Sequence, residues 1–251
     1  MISIKTLLSD VVSEVSTVKR DPYVNPPPEL LERKREIFRR KLAEAGFVPR
    51  EEIRPAIDTV LHYAAEASLH RHYANYLKNE IRYWRSKEVP PFRPPKCGII
   101  LSGNCGTGKT MLAKNIARSE KSRSGNDFSN GFVYRTAHEI IEGFNGTGQD
   151  HVDQMKESWE WQPVFVDDVG LESDGMHYGV KWGMKEFLFW RYECWKGRYA
   201  ATTLLTTNFR GIDDLVVHYG GDVRLKSRLT EMCVMVPCFA RDWRMEHPAG
   251  R

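Results

Sequence analysis

Residues 103–110 read Gly-Asn-Cys-Gly-Thr-Gly-Lys-Thr, and the apolar run Ile99-Ile100-Leu101 comes shortly before them. This order matches Gly-x-x-x-x-Gly-Lys-Ser/Thr, a glycine-rich turn between a strand and a helix. The glycines let successive backbone amides curl around one anion, and the N-terminus of the following helix adds its positive dipole. The sequence therefore predicts a binding site for nucleotide phosphates, in preference to an ordinary glycine turn.

The side chains of this loop predict how a triphosphate is held. Lys109 is expected to reach the β- and γ-phosphates, and the hydroxyl of Thr110 is expected to face a magnesium ion. The predicted cofactors are therefore ATP and Mg²⁺. The residues expected to contact the nucleotide are Gly103, Asn104, Cys105, Gly106, Thr107, Gly108, Lys109, Thr110 and Met111.

A second apolar run, Pro163-Val164-Phe165-Val166, ends in the two carboxylates Asp167 and Asp168. Alone this is a weak signal, because many strands end in acidic turns. Together with the phosphate loop it predicts a strand that brings Asp167 beside Thr110, where the carboxylate holds magnesium through water. Asp168 is then expected to orient the water that attacks the γ-phosphate.

Two further features lie closer to the C-terminus. The run 201–207 predicts a β-branched strand that stops at Asn208, whose amide can hold the attacking water or the γ-phosphate; a turn asparagine is the alternative. Arg224 and Arg228 are four residues apart and share one face if that segment is helical. A surface salt-bridge network explains them equally well. The chemistry of P-loop hydrolases favours an arginine that meets the charge developing on the γ-phosphate.

Composition sets outer limits on the function. The chain has 251 residues, a formal net charge of +4 and five cysteines. This charge permits nucleic-acid binding without requiring it. The cysteines form no Cys-x-x-Cys pair, so they are expected to be reduced and mostly buried. Because no apolar stretch approaches the ~20 residues of a membrane span and no signal-peptide core is present, we expect a cytoplasmic protein without a membrane partner.

Proline-rich segments divide the chain, and the segment 89–95 marks a predicted domain boundary. Residues 1–95 are expected to form a helical N-terminal region that binds a partner, with helices over 29–45 and 55–84. The basic cluster at 33–41 is interleaved with glutamates, so a solvated helix face is favoured over a nucleic-acid or helicase-docking face. Residues 96–251 are expected to form the ATPase domain.

After residue 95, short apolar strands alternate with helical patterns, which predicts a parallel sheet covered by helices. The glycine-rich run 143–148 is expected to be a flexible loop. The predicted strands are 98–102, 132–136, 164–166 and 201–207, and the predicted helices are 110–121, 138–144 and 182–196. Core packing is favoured over stacking on bases for the tryptophans, which include Trp159, Trp161, Trp182, Trp190 and Trp195.

Taken together, several motifs resemble the DnaC/IstB group of AAA+ ATPases over about residues 96–246. This resemblance implies the α/β fold of a P-loop AAA+ domain, with three αβα layers around a parallel sheet and no C-terminal lid. Besides the phosphate loop, the motifs are Val166-Asp167-Asp168-Val169-Gly170, Arg191-Tyr192-Glu193, Thr206-Thr207-Asn208, Tyr219-Gly220, Ser227-Arg228-Leu229 and Asp242-Trp243-Arg244.

The resemblance also implies roles for single residues. It makes Asn208 sensor 1, Arg228 the arginine finger and Arg244 the sensor 2 arginine. Many AAA+ proteins have glutamate where this chain has Asp168, so hydrolysis is expected to be slow and to be stimulated by assembly or DNA. The implied catalytic set is Lys109, Asp168, Asn208, Arg228 and Arg244, and the implied magnesium set is Thr110 and Asp167.

By the same resemblance, the expected function is that of a DNA-associated ATPase that loads a replicative helicase. The implied partners are DNA, single-stranded in preference, the replicative helicase or a transposase, and further copies of the chain that share ATP sites. A transposition helper of the IstB kind is the alternative within the same fold. A P-loop small-molecule kinase and a scaffold that binds nucleotide without hydrolysing it are the alternatives from other classes.

Overall fold

The phosphate loop follows the carboxyl end of a strand in a sheet of five parallel strands. The computed structural model describes residues 28–48, 51–66, 98–119, 132–198 and 202–242. In chain order, the strands are β1 (Gly98–Ser102), β2 (Val133–Thr136), β3 (Val164–Val169), β4 (Gly175–His177), β5 (Val180–Trp182), β6 (Thr203–Thr207) and β7 (Cys233–Pro237). The large sheet has the order β2-β3-β6-β1-β7, and β4 and β5 form a separate antiparallel pair.

Helices cover both faces of this sheet. Since successive strand residues face opposite sides, Ile100 packs in one core with Phe187 and Leu229, while Ile99 and Leu101 pack in a second core. The predicted fold class, a three-layer α/β parallel sheet of the P-loop kind, is therefore confirmed. The helices are α1 (Pro28–Glu44), α2 (54–66), α3 (Lys109–Ser119), α4 (Ala137–Thr147), α5 (Gln149–Trp159), α6 (Met184–Arg198), α7 (Ile212–His218) and α8 (Val223–Met232).

The N-terminal helices pack directly on the nucleotide-binding part of the chain. Phe38 of α1 and Leu61 of α2 share one core with Leu112 of α3 and Leu101 of β1. Phe38 is fully buried there. The described N-terminal helices thus have their core in common with the sheet. The predicted boundary at 89–95 and the second half of the predicted helix 55–84 lie outside the described residues, and binding of a partner by this region stays a prediction.

The exposed side of α1 carries a network of ion pairs. Arg39 lies 2.8 Å from Glu32, 3.4 Å from Glu36 and 3.4 Å from Asp58 of α2. This network is what interleaved charges on an exposed helix face predict, and docking of nucleic acid or a helicase on this face is not tested by it. Among the described residues, no helix combines the length and the apolar character that crossing a bilayer requires.

Two predictions of local structure are wrong. The run 143–148 is not a flexible loop, because α4 continues to Thr147 and Gly148 caps it with a hydrogen bond to the carbonyl of Phe144. Burial of Phe144 outweighs the low helix propensity of the glycines. The helix predicted to begin at Trp182 begins at Met184 instead, and Trp182 ends the hairpin formed by β4 and β5.

Most tryptophans and cysteines lie where the sequence predicts them. Trp182 and Trp195 are buried, and Trp159 and Trp190 pack against the same core. Among the tryptophans that the structure describes, Trp161 is the exception at 51% exposed. The described cysteines are all reduced, with Cys105 exposed and Cys194, Cys233 and Cys238 buried. Cys97 lies outside the described residues.

Candidate nucleotide-binding site

A cavity of about 960 Å³ lies at the carboxyl ends of β1, β3 and β6. Because β6 is between β1 and β3 in the sheet, the segments that end these three strands meet at one edge. This packing brings together the phosphate loop, Asp168 and Asn208, as the sequence predicts. The described residues that line the cavity are Ala45, Gly46, Phe47, Val48, Ile53, Cys105, Gly106, Thr107, Gly108, Lys109, Thr110, Met111, Lys114, Asn115, Asp168, Leu171 and Asn208.

The backbone of the phosphate loop follows a path that favours glycine. Gly103, Gly106 and Gly108 have φ angles of 145°, 71° and 90°, in the region that L side chains rarely adopt. At Gly103 a Cβ atom would also overlap the carbonyl group of Cys238. The loop runs directly into α3, which begins at Lys109, so the positive end of the helix dipole faces the loop. This arrangement is suited to binding an anion.

The ammonium group of Lys109 lies inside the loop and is buried. Its Nζ atom donates hydrogen bonds to the carbonyl oxygens of Gly103 at 2.8 Å and Asn104 at 2.7 Å, and to Oδ1 of Asn208 at 3.1 Å. Burial lowers the pKa of Lys109, and nearby acidic groups, Asp168 among them, oppose this shift. The structure thus places a cation inside the phosphate loop and connects it to the end of β6.

Asp167 lies at the centre of a group of hydroxyls. Its Oδ1 accepts hydrogen bonds from Thr110 Oγ1 at 2.9 Å and from Thr206 Oγ1 at 2.5 Å, while Oδ2 accepts one from the Tyr134 hydroxyl at 3.2 Å. A carboxylate beside a hydroxyl at the phosphate loop is a donor set of the hard oxygen ligands that Mg²⁺ prefers. The side chains of Thr110 and Asp167 therefore fit a magnesium ion and would hold it beside the phosphate loop.

Asp168 differs from its neighbour in backbone and environment. It is exposed toward the cavity and has a φ angle of 58°, a left-handed conformation that is uncommon for a residue other than glycine. The pairing of β3 with β6 shifts in register between Val166 and Val169, so Asp167 and Asp168 lie in an irregularity of the strand. The amide of Asp168 donates a hydrogen bond to Thr206 Oγ1 at 2.9 Å. The backbone therefore directs two successive carboxylates to different places.

Arg228, the predicted arginine finger, and its neighbour Arg224 both lie on α8. The Arg228 side chain is 34% exposed, lies 3.3 Å from Glu193 and has its guanidinium 4.7 Å from the ring centroid of Phe189. Arg224 pairs with Asp222 at the start of the same helix, at 2.8 Å. Neither arginine is among the described residues that line the cavity. Both make the surface ion pairs that the sequence left open as an alternative.

Arg244 lies outside the described residues, which end at Asp242. The described end of the chain runs along the phosphate loop: the amide of Cys238 donates to the carbonyl oxygen of Ser102 at 2.6 Å. The carboxylate of Asp242 lies so close to Gly106 that a Cβ atom there would overlap it. The residue two positions before Arg244 is therefore at the phosphate loop.

One wall of the cavity comes from a segment for which the sequence motifs predict no role. The turn between α1 and α2 supplies Gly46, Phe47 and Val48. Phe47 is buried against the core, whereas Val48 is 85% exposed. Gly46 has a φ angle of 70°, and a glycine after a charged helix is the signal that places this turn. Nothing in the sequence pattern indicates that the turn returns to the phosphate loop, since that depends on how α1 packs against α3.

Comparisons with known proteins give structural matches alone. No protein-family model matches the chain, and no curated protein matches it. The crystal structure of the DnaC helicase loader is similar at a TM-score of 0.42 and 17% identity, over 65% of this chain and 88% of that chain. The crystal structure of DnaI is similar at 0.46 and 20% identity, over 63% and 82% of the two chains. AMPPCP-bound DnaA from Aquifex aeolicus is similar at 0.38 and 18% identity, over 65% and 46%.

Proposed function

We propose that the chain is an AAA+ ATPase that binds ATP with Mg²⁺ at the phosphate loop and hydrolyses it to ADP and phosphate. The observation that carries this proposal is the meeting of four side chains at one edge of the sheet. Lys109 contacts Asn208, and Thr110 contacts Asp167. These residues come from three separate segments, so the pattern of the phosphate loop does not by itself bring them together.

Binding of ATP uses groups that the loop already presents. The amides of the loop and the dipole of α3 attract the phosphates, and Lys109 exchanges its contacts with the loop carbonyls for contacts with the β- and γ-phosphate oxygens. Thr110 and Asp167 would hold Mg²⁺, which would neutralise charge on those oxygens. The wall that contains Phe47 and Val48 gives the base an apolar surface beside the loop.

Hydrolysis requires a water positioned in line with the γ-phosphate. Asp168 accepts a hydrogen bond from this water, whose oxygen attacks the γ-phosphorus as the bond to the β-γ bridging oxygen breaks. ADP and inorganic phosphate leave, and the proton of the water passes to solvent. Asn208 donates from its amide to the water or to a γ-phosphate oxygen. Because aspartate is one methylene shorter than glutamate, we expect slow turnover.

We further propose that the chain acts on DNA as the loader of a replicative helicase, in assemblies whose copies share ATP sites. The resemblance of the motifs to the DnaC/IstB group supports the loading role. Arg228 supports the sharing of ATP sites, because it lies on α8 and is outside the cavity lining of its own chain. It would complete the site of a neighbouring copy, and Arg244 would act within its own chain. Residues 1–95 would bind the helicase and residues 96–251 would form the ATPase domain.

Phosphate release separates this proposal from its alternatives. With ATP and Mg²⁺, the wild-type chain should release inorganic phosphate and ADP in equal amounts, and Lys109→Ala should lose both nucleotide binding and turnover. Lys181→Ala, at an exposed site on the β4–β5 hairpin, is the matched control and should keep both. A small-molecule kinase would consume ATP without free phosphate, and a scaffold would bind ATP without forming ADP.

The partner is tested by reconstitution. The wild-type chain, mixed with a replicative hexameric helicase and circular single-stranded DNA, should raise the amount of helicase on the DNA in an ATP-dependent manner. Failure to do so, together with ATP-dependent binding of a transposase to target DNA, would replace the loader by a transposition helper.

A further inference from the structure

Glu172 is a buried carboxylate close to Asp168, and the hydrolysis scheme gives it no role. It is 9% exposed. Its Oε2 accepts a hydrogen bond from the amide of Gly170 at 2.8 Å, and its Oε1 accepts one from the hydroxyl of Tyr219 at 2.5 Å. Burial and the neighbouring Glu172 carboxylate raise the pKa of Tyr219, so the phenol keeps its proton and donates. The two residues are 47 positions apart in the chain.

On the Glu172 side, the hydrogen bond between Tyr219 and Glu172 helps to hold the turn that carries Asp168. A left-handed conformation at a residue other than glycine persists only where surrounding contacts fix it. From the β6 side, Thr206 binds the amide of Asp168, and Thr207 Oγ1 donates to the carbonyl oxygen of Val169 at 2.7 Å. From the other side, Glu172 fixes the amide of Gly170. The turn is therefore held by β6 on one side and by Glu172 and Tyr219 on the other.

On the Tyr219 side, the same hydrogen bond lies close to the start of α8, the helix that carries Arg224 and Arg228. Tyr219 is the cap residue at the end of α7. Gly220 and Gly221, with φ angles of 88° and 72°, connect it to Asp222, whose side chain caps α8 through the amide of Arg224. Only these two glycines separate the Tyr219 residue from the cap of α8. The hydrogen bond to Glu172 is therefore made by the residue that ends α7, three positions before the cap of α8.

We propose that Glu172 and Tyr219 are positioning residues that couple the Asp168 turn to α8. The proposal rests on the proposed ATPase function and names its regulation. Neither side chain lines the cavity among the described residues, so the pair acts through Asp168 and through Arg228 rather than on ATP. Contact of Asp168 with the water at the γ-phosphate fixes the turn, and the hydrogen bond sets the position from which α8 presents Arg228 to a neighbouring copy.

Tyr219→Phe removes the hydroxyl and keeps the ring, so it tests the hydrogen bond with little change in packing. We expect kcat for phosphate release to fall about 10-fold, the Kd for ATP to stay within about 2-fold, and the dependence of the rate on protein concentration to weaken. Tyr178→Phe, at a hairpin position that is 96% exposed, is the matched control and should leave all three values unchanged. Glu172→Gln keeps an acceptor for only one of its two donors and should behave like Tyr219→Phe.

An unchanged kcat in Tyr219→Phe, or a loss of ATP affinity as large as the loss of kcat, would overturn the coupling. A wild-type chain that releases no phosphate would instead overturn the proposed function. Hydrogen exchange of backbone amides distinguishes failure of the coupling from failure of the proposed function, because it needs no turnover. In Tyr219→Phe the amides of 168–172 and those of 220–224 should both exchange faster, whereas faster exchange in 220–224 alone would contradict the coupling.

Discussion

The Lys109 ammonium lies 3.1 Å from the side-chain oxygen of Asn208, although the two residues are 99 positions apart in the chain. The sheet order causes this contact, because β6 lies beside β1 and carries Asn208 past its end. The residue proposed to bind the γ-phosphate is thus in direct contact with the residue proposed to hold the attacking water.

Asn208→Ala tests this contact. We expect kcat for ATP hydrolysis to fall by about 10- to 100-fold, because one preorganised donor near the γ-phosphate is lost. The Kd for ATP should change little, since the loop amides and Lys109 remain. Asn145→Ala is the control, because the Asn145 amide oxygen accepts from the Met176 amide instead. Equal loss of turnover in both variants would assign Asn208 a structural role only.

Asp168 is tested by two substitutions with different chemistry. Asn and Asp both tolerate the left-handed backbone, so Asp168→Asn should fold normally, bind ATP and lose at least 10-fold in phosphate release. Asp168→Glu lengthens the side chain by one methylene and should raise turnover if reach limits the rate. Steady-state phosphate release and ATP binding measure both effects. Turnover that neither substitution alters would show that Asp168 does not orient the water.

Arg191 is expected to stabilise the fold and to take no part in ATP hydrolysis. Its guanidinium is fully buried and donates to Thr203 Oγ1 at 3.1 Å and to the carbonyl oxygens of Trp159 at 2.9 Å, Gln162 at 3.1 Å and Thr202 at 3.2 Å. Burial lowers the pKa of Arg191 to about 10, so it stays charged at neutral pH.

Arg191→Met leaves those buried acceptors without this donor, so we expect a loss of about 3 kcal/mol or more in the free energy of unfolding. Arg40→Met, on the exposed side of α1 with Glu44 at 3.7 Å, should change it little. Urea unfolding of both variants measures the difference. A wild-type midpoint in Arg191→Met would contradict this assignment.

The buried thiol of Cys238 is expected to make the free energy of unfolding depend on pH in the alkaline range. Burial raises the pKa of its thiol from 9.0 to about 11. Between these values the unfolded chain releases a proton that the folded chain keeps, so the stability from this group is complete below pH 9 and is lost as pH rises toward 11. Cys238→Val should reduce this slope relative to wild type, as measured by urea midpoints at a series of pH values. Parallel slopes for the two proteins would contradict the prediction.

Local patterns in the sequence predict the strands that end at the phosphate loop, Asp168 and Asn208, because each ends an apolar run at a polar residue. They do not predict the wall formed by Phe47 and Val48, which depends on the packing of α1 against α3. They also miss α7 and the β4–β5 hairpin, since these elements are short. The register shift between Val166 and Val169, where Asp167 and Asp168 lie, arises from pairing with β6, which no local pattern contains.

The measurement that tests the proposed shared ATP site most directly is phosphate release as a function of protein concentration, with and without single-stranded DNA. The proteins are wild type, Arg228→Ala and, as a matched control on the same helix, Arg224→Ala. We predict a wild-type rate per chain that rises with concentration and with DNA, a collapse of this rate in Arg228→Ala, and a smaller effect in Arg224→Ala. A rate per chain that is independent of concentration, DNA and Arg228 would contradict the shared site.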